Sequence, residues 1–286
     1  MPGITIRQAT PVDAPAAGAI CFDAFRHINT AHNFPPDFPT PEASKGVLSM
    51  MFSHPGFYCV VAESDGRIIG SNCLDERSPV AGVGPVSVDP GAQNAGAGRK
   101  LMEAVLRRAR ERHFAGVRLL QAAYHNRSLS LYTKLGFDAR EPISTMQGPP
   151  IGKAVPGYAV RPAAAADMEA CNVVCEGVHG HHRSGELADA IRQGTATVVE
   201  RVGRITGYAS SVAFFGHTVG ETNGDVQALL ASAGEFGGPG ILVPTRNAAL
   251  FRWCLENGLR VQYPMTLMSV GMYQEPRGAY LPSVLY

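Results

Sequence analysis

The chain has 286 residues, which is enough for two domains of ordinary size. Its formal net charge of +1 argues against nucleic acid as a main partner, because binding to a phosphate backbone requires a concentrated basic excess. Hydrophobic residues make up 45% of the chain, so we expect a globular protein with a well-packed core. No apolar run approaches the ~20 residues of a membrane-spanning helix, so we expect no membrane partner.

The cysteines and the start of the chain bear on its compartment. No two of the six cysteines form a C-x-x-C pair, so we expect buried free thiols rather than disulfides or a zinc site. The segment Met1–Arg7 has no apolar stretch of the kind found in secretory signals. We therefore expect a cytoplasmic protein.

The first predicted elements are short apolar strands and helices. Ile4–Arg7 is predicted as a strand that leads into a helix starting at Asp13. Residues 60–70 read as an apolar strand, a glycine turn and a second apolar strand, which is the pattern of a β-hairpin. The second of these strands ends in Asp75 and Glu76. A Pro- and Phe-rich loop, residues 32–41, lies between the first helices.

A glycine-rich loop follows the next predicted strand, Gly84–Val88. It reads Gln93-Asn94-Ala95-Gly96-Ala97-Gly98-Arg99, and apolar residues at helical spacing predict a helix directly behind it. Such a loop leaves backbone N–H groups unpaired at the positive end of the helix dipole. Glycine allows a phosphate to approach these groups, so the sequence predicts a pyrophosphate site.

Two common phosphate motifs do not fit this loop. The spacing is not G-x-G-x-x-G, and no acidic residue follows about 20 residues later, which disfavours a Rossmann dinucleotide site. No Gly-Lys-Ser/Thr follows, which disfavours a nucleoside-triphosphate P-loop. From the loop alone, a surface loop that only caps a helix stays open as the alternative.

A second motif follows the predicted strand Val117–Ala122. It reads Asn126-Arg127-Ser128-Leu129-Ser130-Leu131-Tyr132-Thr133-Lys134-Leu135-Gly136-Phe137, with Asn126 suited to cap a helix and Gly136 suited to end it. Together, the loop and this motif resemble the two signatures of the GNAT acyltransferase superfamily, in the correct order. The resemblance covers roughly residues 4–146.

The resemblance implies a fold and a co-substrate. GNAT proteins have a mixed, mostly antiparallel sheet that splays open between its fourth and fifth strands and takes up the pantetheine arm of acetyl-CoA. Backbone groups of the fourth strand would bond the pantetheine and hold the oxyanion that develops on the thioester. The implied cofactor-binding residues are Val86, Val88, Gln93, Asn94, Ala95, Gly96, Ala97, Gly98, Arg99, Asn126 and Ser128. No metal is implied.

The resemblance also implies catalytic residues. The family carries a tyrosine six residues after the Asn of the second motif, beside the thiol of CoA, and Tyr132 has this position. We expect Tyr132 to be the acid that protonates the leaving thiolate. Glu76 is the predicted base, with a solvated carboxylate paired to Arg77 as the alternative interpretation. The loop of residues 32–41 is expected to cover the acceptor pocket.

The second half of the chain weakly repeats the first. Its strand before Asp167, its hairpin at residues 198–207 and its segment Asn247–Arg252 echo elements of the first half. Residues 148–157, rich in Gly and Pro, are predicted to be a linker. The sequence therefore predicts an α/β (α+β) protein of two tandem GNAT-like domains, residues 1–147 and 158–286, each with a splayed sheet flanked by helices.

The second copy lacks the features that point to acetyl-CoA. It has no Gln-x-x-Gly-x-Gly, and Glu221 and Asp225 place negative charge where a diphosphate would bind. Trp253 stands at the position of Tyr132 and cannot exchange a proton with a thiolate. We expect this domain to be inactive and to complete the acceptor cleft or to stabilise the first domain.

Three histidines of the second half, His179, His181 and His182, allow two interpretations. They could line the substrate side of a cleft between the domains, or they could bind a metal, for which a fourth ligand at suitable spacing is missing.

The predicted function is N-acyl transfer from acetyl-CoA to a primary amine of a small molecule, by a monomer or homodimer. A non-catalytic acyl-CoA sensor or scaffold is the alternative. The identity of the amine is left open, because acceptor pockets are formed by variable loops.

Overall fold

The computed structural model describes residues 3–285. Its first half contains β1 (Thr5–Gln8), α1 (Ala14–Ala31), α2 (Pro41–Ser53), β2 (Phe57–Ser64), β3 (Arg67–Asp75), β4 (Val80–Val83), β5 (Ser87–Val88), α3 (Ala97–Glu111), β6 (Gly116–Ala122), α4 (Asn126–Lys134) and β7 (Asp138–Gln147). Its second half contains β8 (Ala159–Pro162), α5 (Met168–His179), α6 (Ser184–Gln193), β9 (Thr197–Arg201), β10 (Arg204–Ala209), β11 (Thr218–Gly220), α7 (Asn223–Ser232), β12 (Ile241–Pro244), α8 (Ala248–Glu256), β13 (Arg260–Gly271) and β14 (Ala279–Leu281). Met1, Pro2 and Tyr286, which fall within the predicted domain ranges, lie outside the described residues.

The larger sheet combines strands from both halves of the chain. Its order is β1-β2-β3-β4-β6-β13-β7-β12, with β5 paired to β3. The long strand β13, from the second half, lies between β6 and β7 and is antiparallel to both. The segment of residues 148–157 forms no helix or strand, and its Ile151 is buried in the core of the second half. The division into residues 1–147 and 158–286 stays a prediction, and the sheet itself is not divided there.

The sheet splays open next to the glycine-rich loop. Strands β4 and β6 pair in parallel from Val80↔Gly116 to Gly82↔Arg118. Beyond this point β5 pairs with β3, and the rest of β6 pairs with β13, so a gap separates β5 from β6. Of the predicted strand Gly84–Val88 only Ser87–Val88 is a strand, because Pro85 has no N–H group and follows Gly84 in a left-handed conformation. The splayed, mostly antiparallel fold predicted from the sequence is confirmed.

The second sheet lacks an equivalent opening. Its order is β14-β11-β10-β9-β8. By analogy with the first half, the gap would lie between β11 and β12. Strand β14 lies there: it pairs with β11 from Thr218↔Leu281 to Gly220↔Ala279 and packs against β12. The second half therefore fills with its own backbone the space that the first half leaves open.

The core of the first half is built around α3. Leu101, Met102 and Val105 are fully buried on one face of this helix, as their spacing predicts, and pack with apolar residues of the sheet. The six cysteines are buried free thiols, as expected. No helix within residues 3–285 has the length and apolar character needed to span a bilayer.

Candidate active site

The glycine-rich loop presents an uncapped helix N-terminus. Gly96 precedes α3 with φ of +91°, a left-handed conformation that favours glycine, and no side chain caps the helix. The N–H groups of Ala97, Gly98 and Arg99 lie in the first turn, where an α-helix offers them no intrahelical acceptor. These three residues line a cavity, so their free donors and the helix dipole are available to an anion.

The cavity has a volume of about 640 Å³ and extends through the gap between β5 and β6. Of the predicted cofactor-binding residues, nine line it: Val86, Val88, Gln93, Asn94, Gly96, Ala97, Gly98, Arg99 and Ser128. The other two do not. Ala95 faces a separate surface cavity with Lys100, and Asn126 is exposed as the first residue of α4 rather than its N-cap.

Tyr132 lies on α4 and lines the same cavity. It is 9% exposed and packs with the core around α3, near the ring of Phe137. Within the described part of the chain its hydroxyl makes no hydrogen bond. Burial raises the pKa of this phenol above its usual range, so the group is a neutral O–H at physiological pH. Its position and protonation state suit a proton donor inside the cavity.

The cavity also contains a carboxylate that the sequence did not reveal as functional. Asp37, in the loop before α2, is half-buried and lines the cavity. Its Oδ1 accepts a hydrogen bond of 2.5 Å from the hydroxyl of Tyr263, on β13. The neighbouring Asn29 accepts one of 2.6 Å from Tyr124. Burial raises the pKa of Asp37, and hydrogen bonds from Tyr263 and Asn29 oppose that rise.

This part of the chain matches a known family. The model of the acetyltransferase (GNAT) family matches residues 22–137, which contain α1, the glycine-rich loop, the gap and Tyr132. The chain contains a GNAT domain.

One curated relative is similar over a short stretch. A mycothiol acetyltransferase from Nocardia farcinica is 46% identical over 63 residues. The match spans 22% of this chain and 21% of that protein.

Three solved structures share the whole fold. A candidate acetyltransferase from Pyrococcus horikoshii has a TM-score of 0.75 and 20% identity, with 97% of this chain and 94% of that chain covered. A GCN5-related N-acetyltransferase from Sphaerobacter thermophilus has a TM-score of 0.61 and 18% identity, with coverage of 95% and 96%. A tandem GNAT protein from the clavulanic acid biosynthesis pathway has a TM-score of 0.57 and 15% identity, with coverage of 94% and 98%. The two-part architecture of this chain is therefore that of a tandem GNAT fold.

Glu76, the predicted base, is not among the residues that line the cavity. Strand β3 pairs with β5 through Gly70 and Ser71, and its last residues, Leu74 and Asp75, pair with Val83 and Gly82 of β4, farther from the glycine-rich loop. There the Glu76 carboxylate accepts hydrogen bonds of 2.7 and 3.0 Å from Arg108. The alternative pairing with Arg77 is wrong, because Arg77 binds Asp75 and Asp189.

The histidines of the second half do not line the cavity. His179 and His181 are buried, and the Nε2 atoms of His179 and His217 lie 3.1 Å apart. His182 is turned towards Ser184, with 2.8 Å between its Nδ1 and the hydroxyl. Within residues 3–285 no group of three or more His, Cys, Asp or Glu side chains is arranged to hold a metal ion.

In the second half, the first turn of α7 carries a buried carboxylate. Asp225 is fully buried and accepts hydrogen bonds from the Thr222 N–H at 2.8 Å and the Thr222 hydroxyl at 2.7 Å. Glu221, just before this helix, pairs with Arg204. Trp253 packs against the core of the second half and does not line the cavity.

Two cavity residues near the loop were overlooked at the sequence level, although they belong to the second motif or adjoin it. The guanidinium of Arg127 donates to Gln93 Oε1 at 2.5 Å and to Asn94 Oδ1 at 3.2 Å, so it joins α4 to the loop. His125, just before α4, has a buried Nε2 without a partner in the described chain. Burial lowers the pKa of His125, so its ring is neutral at pH 7.

Proposed function

We propose that the chain transfers an acetyl group from acetyl-CoA to a primary amine of a small molecule, and that the GNAT domain performs the reaction. The observation that carries this proposal is a single cavity that joins an uncapped helix N-terminus to the buried, neutral hydroxyl of Tyr132. The first feature suits a pyrophosphate, and the second suits a departing thiolate.

The residues of the gap fit the co-substrate. The first-turn N–H groups of α3 would bind the pyrophosphate, and the guanidinium groups of Arg99 and Arg127, both at the cavity, would add positive charge there. Strand β5 has a paired neighbour on one side, β3, and its Val88 lines the gap on the other. An extended pantetheine arm would lie along this free strand edge.

In the proposed reaction, the amine nitrogen attacks the thioester carbonyl carbon, and the bond between that carbon and sulfur breaks. Tyr132 gives its proton to the departing sulfur, and the proton lost by the nitrogen restores the phenol. Counted from the neutral amine, the net products are an acetylated amine and CoA with a free thiol, and no proton is released. The raised pKa of Tyr132 suits this role, because the hydroxyl holds its proton until the thiolate forms.

We further propose that the second half does not bind acetyl-CoA and instead completes the acceptor end of the cavity. Strand β14 lies in its gap, and the buried Asp225 places a negative charge in the first turn of α7. The second half also supplies cavity-lining side chains, namely Phe214, Phe215, Tyr263, Met265, Val284 and Leu285. The name of the relative from Nocardia farcinica supports acetyl transfer, but its short match carries no information about the acceptor of this chain.

The test combines binding with turnover. Calorimetry should detect acetyl-CoA binding to the full chain, and release of free CoA thiol should depend on an added amine. Binding without thiol release, across a broad amine panel, would favour the non-catalytic sensor. Absence of binding would contradict both functions.

A further inference from the structure

Asp37 differs from the other carboxylates in the interior of this protein. Among the described residues, the buried carboxylates each have an arginine nitrogen within 4.0 Å, in the pairs Asp13–Arg7, Asp75–Arg77, Glu141–Arg246, Glu186–Arg183, Asp189–Arg77 and Asp225–Arg201. Asp37 has no Lys, Arg or His nitrogen within that distance in the described chain. The Tyr263 hydroxyl that donates a hydrogen bond to Asp37 is uncharged and supplies no compensating positive charge. A half-buried carboxylate without a nearby cation is costly to keep ionised, so its presence in the cavity needs a reason.

The cavity around Asp37 is apolar and aromatic. Its lining includes the rings of Phe25, Phe38, Tyr124, Phe214, Phe215 and Tyr263, and Asp37 is the one carboxylate among the described lining residues. The rings are packed together: Phe25 and Phe38 have centroids 5.9 Å apart, and Tyr124 and Tyr263 have centroids 6.1 Å apart. Aromatic faces attract cations and bury apolar groups. One anionic group in such a pocket fixes the orientation of a ligand that carries the opposite charge.

We propose that Asp37 binds the ammonium group of the acceptor, and that the acceptor is an amine carried on an aromatic or apolar body. A carboxylate next to the amine, as in a free amino acid, is disfavoured because it would face Asp37. The missing cation of the Asp37 site is thus supplied by the substrate. As an acceptor subsite this proposal rests on the proposed function, but its binding preference can be measured without turnover.

The subsite is built by both halves of the chain. Asp37 and Tyr124 come from the first half, and Tyr263, Phe214 and Phe215 come from the second. The Asp37–Tyr263 hydrogen bond joins them directly. This arrangement gives the second half a definite role, which is to shape acceptor specificity.

The test compares a cation with its neutral isostere. Affinities of 2-phenylethylamine and 2-phenylethanol are measured by calorimetry for the wild-type chain, with and without CoA. We expect the amine to bind about tenfold more tightly than the alcohol or better, a ratio that corresponds to ~1.4 kcal/mol. Phenylalanine should bind more weakly than 2-phenylethylamine. Equal affinity for amine and alcohol, or no binding of either at millimolar concentration, would overturn the proposal.

Two variants locate the preference. Asp37→Asn keeps an oxygen that can accept from Tyr263 but removes the charge, and should abolish the preference for the amine. Asp23→Asn, at an exposed residue on α1 paired with Arg26, should keep it. A preference that survives in Asp37→Asn would assign it to another group. Both variants should bind acetyl-CoA with the affinity of the wild type. If the wild type does not bind acetyl-CoA, the proposed function is refuted. The amine preference is still decided by the comparison of 2-phenylethylamine with 2-phenylethanol.

Discussion

The hydroxyl of Tyr263 donates a hydrogen bond of 2.5 Å to Asp37, a residue 226 positions earlier in the chain. Tyr263 lies on β13, which is inserted between β6 and β7 of the GNAT domain. The insertion of β13 therefore brings a side chain of the second half into the cavity beside Asp37. This contact connects the fold of the tandem protein to its proposed specificity.

Removing the Tyr263 hydroxyl should change the pH dependence of amine binding. Burial raises the pKa of Asp37, so its carboxylate is ionised only above that raised value, and amine binding should be lost as the pH falls through it. The hydrogen bond from Tyr263 lowers this pKa. In Tyr263→Phe, the midpoint for binding of 2-phenylethylamine should therefore move to higher pH. Binding of 2-phenylethanol should not depend on pH in either protein, and an unmoved or lowered midpoint for the amine would contradict the account.

Tyr132→Phe should lower turnover and leave acetyl-CoA affinity nearly unchanged. A proton donor at the leaving group contributes about 10²-fold or more to the rate, and the phenyl ring preserves the packing of Tyr132 in the core around α3. The measurements are CoA thiol release and calorimetric affinity for acetyl-CoA. The control is Tyr158→Phe, which removes a hydroxyl from a ring that lies near Arg201 in the second half. This variant should keep the turnover and the acetyl-CoA affinity of the wild type. Unchanged turnover in Tyr132→Phe would remove this residue from the mechanism.

Glu76→Gln should retain turnover, because Glu76 lies at the closed end of the sheet and binds Arg108. The substitution weakens an ion pair that is partly exposed, so the free energy of unfolding should fall by less than about 1 kcal/mol. Urea unfolding and CoA thiol release measure the two effects. A large loss of turnover in a folded Glu76→Gln variant would restore the original prediction that it is the base.

Gly96→Ala should weaken acetyl-CoA binding. A residue with a Cβ is strained at a φ of +91°, at a cost of about 1 kcal/mol, and relief of that strain would displace the N–H groups at the start of α3. Gly46→Ala is the control, because Gly46 lies within α2, has no positive φ and has open space around its Cβ position. The control should keep the affinity and unfold at slightly higher urea concentration. Equal acetyl-CoA affinities in the two variants would contradict the role assigned to the loop.

The parts of this site that are continuous in sequence could be predicted from it. The loop before α3 and the motif of α4 each combine glycine placement with helical spacing, and their predicted cofactor-binding residues line the cavity except for Ala95 and Asn126. These are local signals, because φ and the side-chain period are set by neighbouring residues.

The parts that depend on distant strands could not be predicted. Glu76 was misplaced because its position depends on the direction of β3 relative to β5, which the local sequence does not specify. The insertion of β13 and the contact between Asp37 and Tyr263 join residues from opposite halves, and neither residue belongs to a recognisable motif. The loop of residues 32–41 was expected at the proposed acceptor pocket, but the side chains of the second half that meet it emerged only from the three-dimensional structure.

The most direct test of the central claim is the stoichiometry of acetyl-CoA binding to the full chain by calorimetry. The account predicts one acetyl-CoA per chain, bound in the gap between β5 and β6, because β14 lies in the equivalent gap of the second half. Two bound molecules per chain, or no detectable binding at millimolar concentration, would contradict it.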